Sequence, residues 1–155
     1  MVEKINVIMT KSAARLVSPE TLHAYSGQPV FVGDICSNSN YHIPHIQLPR
    51  EADAYDIMPA TANLIAKAAY GIADDLLSTA IIACPGPVVI VPCMNEQMWF
   101  NKAVQRNVRL ARDCGYHIMD PIMGIEIADL SSSYGAMPPL EQIIGVISDL
   151  LNRRA

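Results

Sequence analysis

The chain has 155 residues, of which 51% are hydrophobic, 17% are charged and 6% are aromatic, and its formal net charge is −4 at pH 7. That length suits one domain with a sizeable core, and an acidic balance without a block of Lys and Arg makes nucleic acid and anionic membranes poor partners. No apolar run reaches the ~18 residues needed to cross a bilayer and no secretory signal is visible, so we expect a cytoplasmic protein.

Five short apolar segments are predicted as β-strands. In chain order they are "INVIMT" from Ile5 to Thr10, "PVFVGD", "ADAYDIMP" ending at Pro59, "GPVVIVP" and "YHIMDP". The segments between them are helical or irregular. Because strands alternate with helices, the pattern indicates a parallel α/β sheet with right-handed crossover connections.

The helical segments carry start and stop signals. Ser18 before Pro19 begins the first helical stretch and Gly27 ends it, while the second, "ATANLIAKAAYGIADDLLSTAIIAC", is interrupted near Gly71. A long helix is predicted from Asn95 or Glu96 to Cys114, where Gly115 stops it. The closing segment "LEQIIGVISDLL" is predicted as an amphipathic helix whose apolar face comprises Ile143, Ile144, Ile147 and Leu150.

Two segments have no clear period. "ICSNSNYHIPHIQLP" is rich in Ser, Asn and Pro and is predicted as a loop, and "IMGIEIADLSSSYGAMPP" is predicted to be irregular.

The cysteines are Cys36, Cys84, Cys93 and Cys114. None of their spacings is that of a zinc site, so we expect no metal and expect at least three of them to be reduced, buried thiols.

In parallel α/β sheets, ligands bind at the carboxyl ends of the strands. Three strand ends carry unusual sequence, "MTKSA", "MPATAN" and "VPCMN", and we expect all three at the same edge of the sheet. In "PATAN" the small Ala60 and Ala62 allow a flat ligand to approach the backbone, and Asn63 offers both a donor and an acceptor. The alternative is that Thr61 only caps the next helix.

The segment "PCMN" repeats this arrangement one strand later. Asn95 would face the same cleft, where a neutral amide can bind a substrate carboxylate. The alternative is that Asn95 only caps the long helix. Met94, Met98 and Trp99 are interpreted as packing residues, with contact to a flat aromatic ligand as the sharper alternative.

A histidine is a natural candidate for a general base, because its pKa lies near neutrality. His45 precedes the third predicted strand. His23, His42 and His117 compete with it, and the sequence spacing does not choose among the four.

Four motifs together resemble one family. They are the His before the strand, the P-x-[ST]-A-N motif, a G-x-x-D-[ND]-L-L helix and P-x-M-N-x-x-M-W, all present in order between Thr10 and about Asp120. This pattern resembles the homo-oligomeric flavin-containing Cys decarboxylases. The resemblance implies a Rossmann/flavodoxin-like three-layer sandwich with a parallel sheet, formed by residues 1–155 as a single flavoprotein decarboxylase domain.

The resemblance also implies roles for individual residues. The cofactor would be FMN, with FAD as the alternative, and no metal would be needed. His45 would be the catalytic base and Asn95 would hold the substrate carboxylate. The residues implied at the flavin are Ala60, Thr61, Ala62, Asn63, Leu64, Cys93 and Met94, with Thr10 and Ser12 near its ribityl phosphate. The residues implied at the substrate are Asn95, Met98, Glu126 and Ile127.

The C-terminal region distinguishes between members of the family. Phosphopantothenoylcysteine decarboxylases carry a reprotonating cysteine before a "GAM" sequence, whereas this chain keeps Gly135 to Met137 and has no cysteine after Cys114. The expected position of that cysteine is near Asp129. The sequence "GIEIADL" instead resembles the clamp of lantibiotic decarboxylases, with Glu126 to Ala128 as the match. Residues 122–138 would then form a substrate clamp.

The resulting expectation is oxidative decarboxylation of the C-terminal cysteine of a ribosomally made precursor peptide, giving an ene-thiol for aminovinyl-cysteine formation. The alternatives are phosphopantothenoylcysteine decarboxylation in coenzyme A biosynthesis and a non-catalytic flavoprotein regulatory subunit. The resemblance further implies a homo-oligomer, a trimer assembled into a dodecamer. Because the chain begins at what resembles the family's second strand, we expect the family's first βα unit, ~30 residues, to be lacking.

Overall fold

The computed structural model describes residues 4–34, 43–127 and 129–153 of the chain. Helices separate the strands from β1 to β5, and β5, β6 and β7 then follow one another without a helix between them. The strands are β1 (Val7–Met9), β2 (Val30–Val32), β3 (Tyr55–Ala60), β4 (Val88–Pro92), β5 (His117–Ile118), β6 (Ile122–Ile125) and β7 (Ser132–Ala136). The helices are α1 (Ala13–Leu16), α2 (Pro19–Ser26), α3 (Pro44–Glu51), α4 (Ala62–Tyr70), α5 (Leu76–Ala83), α6 (Glu96–Trp99), α7 (Lys102–Asp113) and α8 (Leu140–Asn152).

The chain divides into two compact units. The first unit comprises Met1–Glu51 and Ala73–Pro85, and the second comprises Ala52–Ile72 and Gly86–Ala155. The first contains the parallel pair β1–β2, and the second contains the parallel sheet β3–β4–β5 with β4 in the middle. The predicted α/β class with parallel sheets and helices is therefore confirmed.

The core of the first unit joins β2, α3 and α5. Phe31, Leu48 and Leu76 are almost completely buried together, and Ile8 of β1 packs against them. The start and stop signals predicted for α2 are confirmed, because Pro19 is its first residue and Gly27 follows it in the left-handed conformation, with φ of 65°.

Helix α3 corrects the prediction of a loop over "ICSNSNYHIPHIQLP". Residues Pro44–Glu51 are helical even though Pro49 lies inside the helix, where it removes a backbone donor. Leu48 and Pro49 are buried. Burial against the core of the first unit therefore outweighs the low helix propensity of proline. The preceding part of the segment, with Cys36 and His42, lies outside the described residues.

The sheet of the second unit carries a buried central strand. Every residue of β4 is buried. Helices α4 and α7 pack against each other. Gly71 ends α4 with φ of 66°, which confirms the interruption predicted at this position. The residues that form the core beneath α8 are Val89, Val91, Met119 and Ile143.

Helix α8 is amphipathic as predicted, but the prediction wrongly placed Ile144 on its apolar face. Val146, Ile147 and Leu150 pack against the core together with Ile143. Ile144 is instead 52% exposed. Because successive helical residues are about 100° apart, the positions that share the face of Ile143 are three, four and seven residues further on, and the next residue turns away.

The long helix predicted from Asn95 to Cys114 is two helices, α6 and α7. Asn101 adopts an extended ψ of 132°, and its Oδ1 accepts a hydrogen bond from the N–H of Ala103, with 2.9 Å between oxygen and nitrogen. The side chain thus begins a new helix as an N-cap. The predicted end is correct, because Cys114 is the C-cap of α7 and Gly115 follows with φ of 93°.

A β-hairpin replaces the irregular structure predicted for "IMGIEIADLSSSYGAMPP". Strands β6 and β7 pair in antiparallel fashion, with Ile125 opposite Ser132. We refer to residues 122–136 as the hairpin. Its strands hold Gly and Ser rather than mainly β-branched residues, so strand propensity is weak, and backbone pairing and contacts with the rest of the second unit stabilise it.

Candidate functional site

The ends of β3 and β4 lie side by side, as predicted for "MPATAN" and "VPCMN". Ala60 is opposite Pro92 in the parallel register. The N–H of Cys93 donates to the carbonyl oxygen of Ala60 at 3.0 Å. The two segments therefore share one edge of the sheet in the second unit. The third segment, "MTKSA", belongs to the first unit.

The end of β3 leads into a capped helix. The Oγ1 of Thr61 accepts from the N–H of Leu64 at 3.4 Å, so the capping role considered for Thr61 is confirmed. Helix geometry leaves the N–H groups of Ala62 and Asn63 without an acceptor inside α4. The side chain of Leu64 is buried in the core.

These residues fit the flavin that the sequence pattern implies. Ala60 is completely buried, whereas Ala62 is small and half-buried, and the side chains of Thr61, Asn63 and Cys93 are exposed. Two uncommitted helical N–H groups and an amide can hydrogen-bond the polar edge of such a ring. No cluster of His, Cys, Asp and Glu that could hold a metal ion occurs among the residues the structure describes.

Asn95 at the end of β4 has both ends of its amide engaged. Its Oδ1 accepts from the N–H of Gln97 at 2.9 Å and so caps α6. Its Nδ2 donates to Oε1 of Glu126. The capping role considered for Asn95 is thus confirmed, and it leaves the amide nitrogen for other partners. The backbone N–H of Gln97 requires an oxygen acceptor, which fixes the orientation of the amide.

The hairpin is attached to the end of β4 at two further points. The N–H of Met94 donates to the carbonyl oxygen of Gly135 at 3.1 Å. Gly135 has φ of 154°, and a Cβ there would collide with the carbonyl group of Met94. The rings of Phe100 and Tyr134 stack with centroids 5.5 Å apart. The close approach of the two backbones therefore requires glycine at this position.

Glu126 links the hairpin to Asn95 through side chains. Its Oε2 accepts from the hydroxyl of Ser133 at 3.2 Å, so both carboxylate oxygens are hydrogen-bonded. Its backbone N–H donates to the carbonyl oxygen of Ser131 at 2.8 Å within the hairpin. Hydrogen bonds from Ser131 also hold the pKa of the nearby Asp129 below its usual value.

The hairpin exposes apolar side chains. Ile125 is 73% exposed and Ile127 is 93% exposed, and Met123 and Leu130 are also largely exposed. Ala128, the third residue of the predicted clamp motif, lies outside the described residues. Four large apolar side chains of the hairpin are therefore accessible to a ligand or partner.

The residues around Asn95 divide into packing and exposed side chains. Trp99 is 3% exposed, which confirms its interpretation as a packing residue. Met98 is 48% exposed, so its packing interpretation is wrong. Cys93 and Cys114 are exposed as well, which contradicts the expectation of mostly buried cysteines. These thiols lie at a strand end and a helix end, where neighbouring elements do not cover them.

The first unit holds the remaining predicted residues. The Oγ1 of Thr10 accepts from the N–H of Ala13 at 3.0 Å and so stabilises the turn before α1. Ser12 is exposed at the start of α1. Lys11 between them forms an exposed ion pair with Asp34, with 2.8 Å between Nζ and Oδ1.

His45 differs from the other described histidines. It lies on α3, and its buried Nδ1 has no hydrogen-bond partner among the residues the structure describes. His23 uses its Nδ1 in a 2.8 Å hydrogen bond with the carbonyl oxygen of Gln28, and His117 is exposed on β5. An imidazole nitrogen without a protein partner can take a proton from a ligand that comes within hydrogen-bonding distance. The structure therefore favours His45 where the sequence spacing did not.

Asp56 is an ionisable group that the sequence analysis did not single out. It lies on β3 opposite Val89 of β4. Burial raises its pKa from the usual 3.8 to about 6. Ser133, Phe100 and Tyr134 were also missed, because only the tertiary structure brings them to the end of β4.

The fold and the strand ends define an α/β protein that presents backbone and amide groups to a flat ligand at the carboxyl edge of a parallel sheet. A family model described as Flavoprotein matches residues 2–152, and the chain belongs to this family. No helix among residues 4–34, 43–127 and 129–153 has both the length and the apolar character to cross a membrane.

Individual relatives are similar along nearly the whole chain. The coenzyme A biosynthesis bifunctional protein CoaBC of Mycobacterium bovis is 36% identical over 150 residues, which are 97% of this chain and 35% of that protein. The chain spans about a third of the length of the curated relatives that it matches. The crystal structure of the FMN-dependent cysteine decarboxylase SpaF has a TM-score of 0.80 and 37% identity, covering 98% of this chain and 80% of that chain.

A second similar solved structure is that of a PPC decarboxylase. A PPC decarboxylase mutant complexed with pantothenoylaminoethenethiol has a TM-score of 0.79 and 27% identity, covering 94% of this chain and 81% of that chain. The predicted resemblance to flavin-containing cysteine decarboxylases is thus confirmed. These neighbours support an enzyme of this kind and a flavin cofactor, specifically FMN.

Proposed function

We propose that this protein is an FMN-dependent oxidative decarboxylase of the C-terminal cysteine of a ribosomally synthesised precursor peptide. The product would be an ene-thiol for aminovinyl-cysteine formation. The observation that carries this proposal is the hairpin. Its exposed Ile125 and Ile127 flank Glu126, whose side chain is hydrogen-bonded to Asn95. A peptide chain offers side chains to such a surface, whereas a small cofactor precursor does not.

When bound, FMN supplies the oxidising capacity for removing a hydride and a proton from the cysteine Cβ–S unit. The resulting thioaldehyde places a C=S group β to the carboxylate, so CO₂ leaves with its bonding electrons retained as an ene-thiolate. His45 accepts the proton through its uncommitted ring nitrogen. The backbone and amide groups of Thr61 to Asn63, with Cys93 and Met94, would hold the ring, and Thr10 and Ser12 would lie near the phosphate.

Asn95 orients the substrate carboxylate through its Nδ2 group. A neutral amide suits this role because the bound carboxylate must lose its charge as CO₂, and a cation would stabilise the ground state that the reaction has to leave. Met98 is exposed beside it and contacts the cysteine-bearing end of the peptide. The proposed clamp, residues 122–138 with Glu126 and Ile127, covers the residues preceding the cysteine.

Phosphopantothenoylcysteine decarboxylation is the second candidate, because CoaBC of Mycobacterium bovis is 36% identical to the chain. That reaction returns two hydrogens to the ene-thiol and needs a proton donor. The sequence has no cysteine after Cys114 to serve as that donor. The peptide reaction is therefore preferred, since it ends at the ene-thiol and needs no such group.

The assembly and location of the protein are part of the same proposal. Residues 1–155 act as one flavoprotein decarboxylase domain in a cytoplasmic homotrimer that assembles into a dodecamer. Exposed apolar side chains on helices of both units, such as Tyr25 at 88% and Ile144 at 52% exposure, support burial in a larger assembly. Light scattering of the FMN-loaded protein tests this, and a monomer that holds flavin tightly would contradict it.

Anaerobic mixing tests the reaction itself. One equivalent of a cysteine-ending peptide should abolish the oxidised flavin absorbance of the FMN-loaded protein, because the peptide product keeps none of the removed hydride. Phosphopantothenoylcysteine turned over by the second candidate reaction would leave the oxidised absorbance unchanged at completion. A peptide that leaves the absorbance unchanged, with phosphopantothenoylcysteine consumed, would overturn the proposed function in favour of the second candidate.

A further inference from the structure

The side chain of Glu126 is hydrogen-bonded to the amide of Asn95, the group proposed to bind the substrate carboxylate. Its Oε1 accepts from Nδ2 of Asn95, and its Oε2 accepts from the hydroxyl of Ser133. A carboxylate that belongs to the chain itself is therefore already bound by the amide that would hold the carboxylate of a terminal cysteine.

The amide of Asn95 has little capacity left for a second carboxylate. Its Oδ1 is committed to the N–H of Gln97, so the amide cannot rotate to present a different edge. One of the two Nδ2 hydrogens points at Glu126. A substrate carboxylate on the other hydrogen would lie about 5 Å from the carboxylate of Glu126, where two like charges repel each other.

The position of Glu126 allows it to leave. It lies just beyond β6, and the hairpin is also held to the end of β4 by the Met94–Gly135 hydrogen bond and the Phe100–Tyr134 stack. Release of the Glu126 side chain therefore leaves both of these contacts in place. The hydroxyl of Ser133 remains as a partner for the released carboxylate.

We propose that Glu126 is a built-in competitor for the substrate carboxylate. It holds the amide of Asn95 in the free protein, and the carboxylate of the terminal cysteine must displace it. Thiol ligands without a carboxylate cannot do so, which makes Glu126 a residue that determines specificity. This inference rests on the proposed role of Asn95 as carboxylate anchor, and it applies to either candidate substrate because both end in a cysteine carboxylate.

Binding without chemistry tests this competition. The ligands are two matched peptides ending in serine, which cannot be oxidised as cysteine is, one with a free carboxylate and one with a C-terminal amide. Their Kd values are measured by calorimetry on the FMN-loaded protein and on Glu126→Ala, Glu126→Gln and Glu141→Ala. Glu141 is exposed on α8 and serves as the control for the loss of one negative charge.

The measured quantity is the ratio of the Kd of the amide to the Kd of the free acid. We expect Glu126→Ala to raise this ratio about tenfold, because a charge-assisted hydrogen bond no longer has to be displaced. Glu126→Gln should raise it less, since the glutamine keeps an acceptor for Asn95 without the charge. Glu141→Ala should leave it unchanged.

Each other outcome has a definite meaning. A ratio that falls or stays constant in Glu126→Ala, while wild type prefers the free acid, makes Glu126 a positioning residue for Asn95 and overturns the competition. A ratio of one in every variant, or no binding of either peptide, overturns the carboxylate anchor and the competition together. A raised ratio in a protein that decarboxylates no cysteine-ending peptide upholds the competition and overturns the proposed reaction alone.

Discussion

In the second unit, β3 and β4 are each followed by a residue whose side chain caps the next helix. The two strand ends nevertheless offer different groups to a ligand. After β3, Thr61 caps α4 through a single oxygen, 3.4 Å from the N–H of Leu64. After β4, Asn95 caps α6 through Oδ1 and still has an amide nitrogen, which reaches Glu126 of the hairpin. The first end therefore offers mainly backbone groups to a ligand, and the second offers a side-chain donor.

In the proposed function, this difference separates cofactor binding from substrate binding along one sheet edge. A flat ring needs a small side chain beside it, which the half-buried Ala62 provides at the start of α4. A carboxylate needs a directed donor, which Asn95 provides. Changes at the two ends should therefore have separable effects.

The largest effect is expected from Ala62→Trp, which breaks the first end. The indole would fill the space left open at the start of α4, and the purified protein should lose bound flavin and with it all turnover. Absorbance of the purified protein measures this loss. Ala103→Trp, an exposed position in the first turn of α7, is the control and should remain yellow. A flavin-loaded Ala62→Trp protein would disprove the assignment of this end to the cofactor.

Asn95→Asp breaks the second end and should leave the first intact. Aspartate still caps α6, but it removes the donor and places a charge beside Glu126 and the substrate carboxylate. We expect kcat/KM for a cysteine-ending peptide to fall about 100-fold while the flavin spectrum is unchanged.

Asn101→Asp is the matched control for this change. Asn101 is also an N-cap, with its Oδ1 2.9 Å from the N–H of Ala103, and the variant gains the same charge. Its kcat/KM should stay within about twofold of wild type. Equal losses in the two variants would mean that Asn95 acts only as a cap.

Gly135→Ala should detach the hairpin from the end of β4. The added Cβ collides with the carbonyl group of Met94, and φ of 154° disfavours any side chain. We expect a loss of about 1–3 kcal/mol in the free energy of unfolding and about a tenfold rise in peptide KM, with flavin retained. Gly145→Ala is the control, since a Cβ there meets nothing and helix propensity should stabilise α8 by about 0.5–1 kcal/mol.

Only part of this comparison could be predicted from the sequence. The caps and stops at Thr61, Gly27 and Gly71 depend on residues within one turn, so local chemistry determines them. The partner of Asn95 lies 31 residues away, and no local pattern indicates it. The hairpin was missed because its strands contain Gly and Ser rather than mainly β-branched residues.

Errors in the helices have a related cause. The loop predicted over "ICSNSNYHIPHIQLP" ends in helix α3, in which Leu48 and Pro49 are buried. The long helix is broken at Asn101, where asparagine is equally compatible with a helix interior and with a cap. In the first case burial outweighs local propensity, and in the second the sequence leaves two local alternatives nearly balanced.

The smallest expected effect is on stability and comes from Asp56 of β3, which lies opposite Val89 of β4. Because burial raises the pKa of Asp56 to about 6, the folded protein binds a proton that the unfolded chain releases near 3.8. Stability from this group is therefore present at low pH and falls as the pH rises through that window.

Asp56→Asn should remove this dependence. The variant should unfold at a higher temperature than wild type at pH 7, and the difference should shrink as the pH approaches 4. Asp53→Asn, at an exposed position, is the control. A difference between Asp56→Asn and wild type that is constant with pH would contradict the raised pKa.

The most direct test of the account is the mass of the peptide product. A cysteine-ending peptide incubated with the FMN-loaded protein should lose CO₂ and two hydrogens, while the same peptide with a C-terminal amide should be unchanged. Loss of CO₂ alone would indicate the pantothenate-type balance instead. An unchanged mass for the free-acid peptide, with flavin bound and the hairpin residues intact, would contradict oxidative decarboxylation of a peptide cysteine.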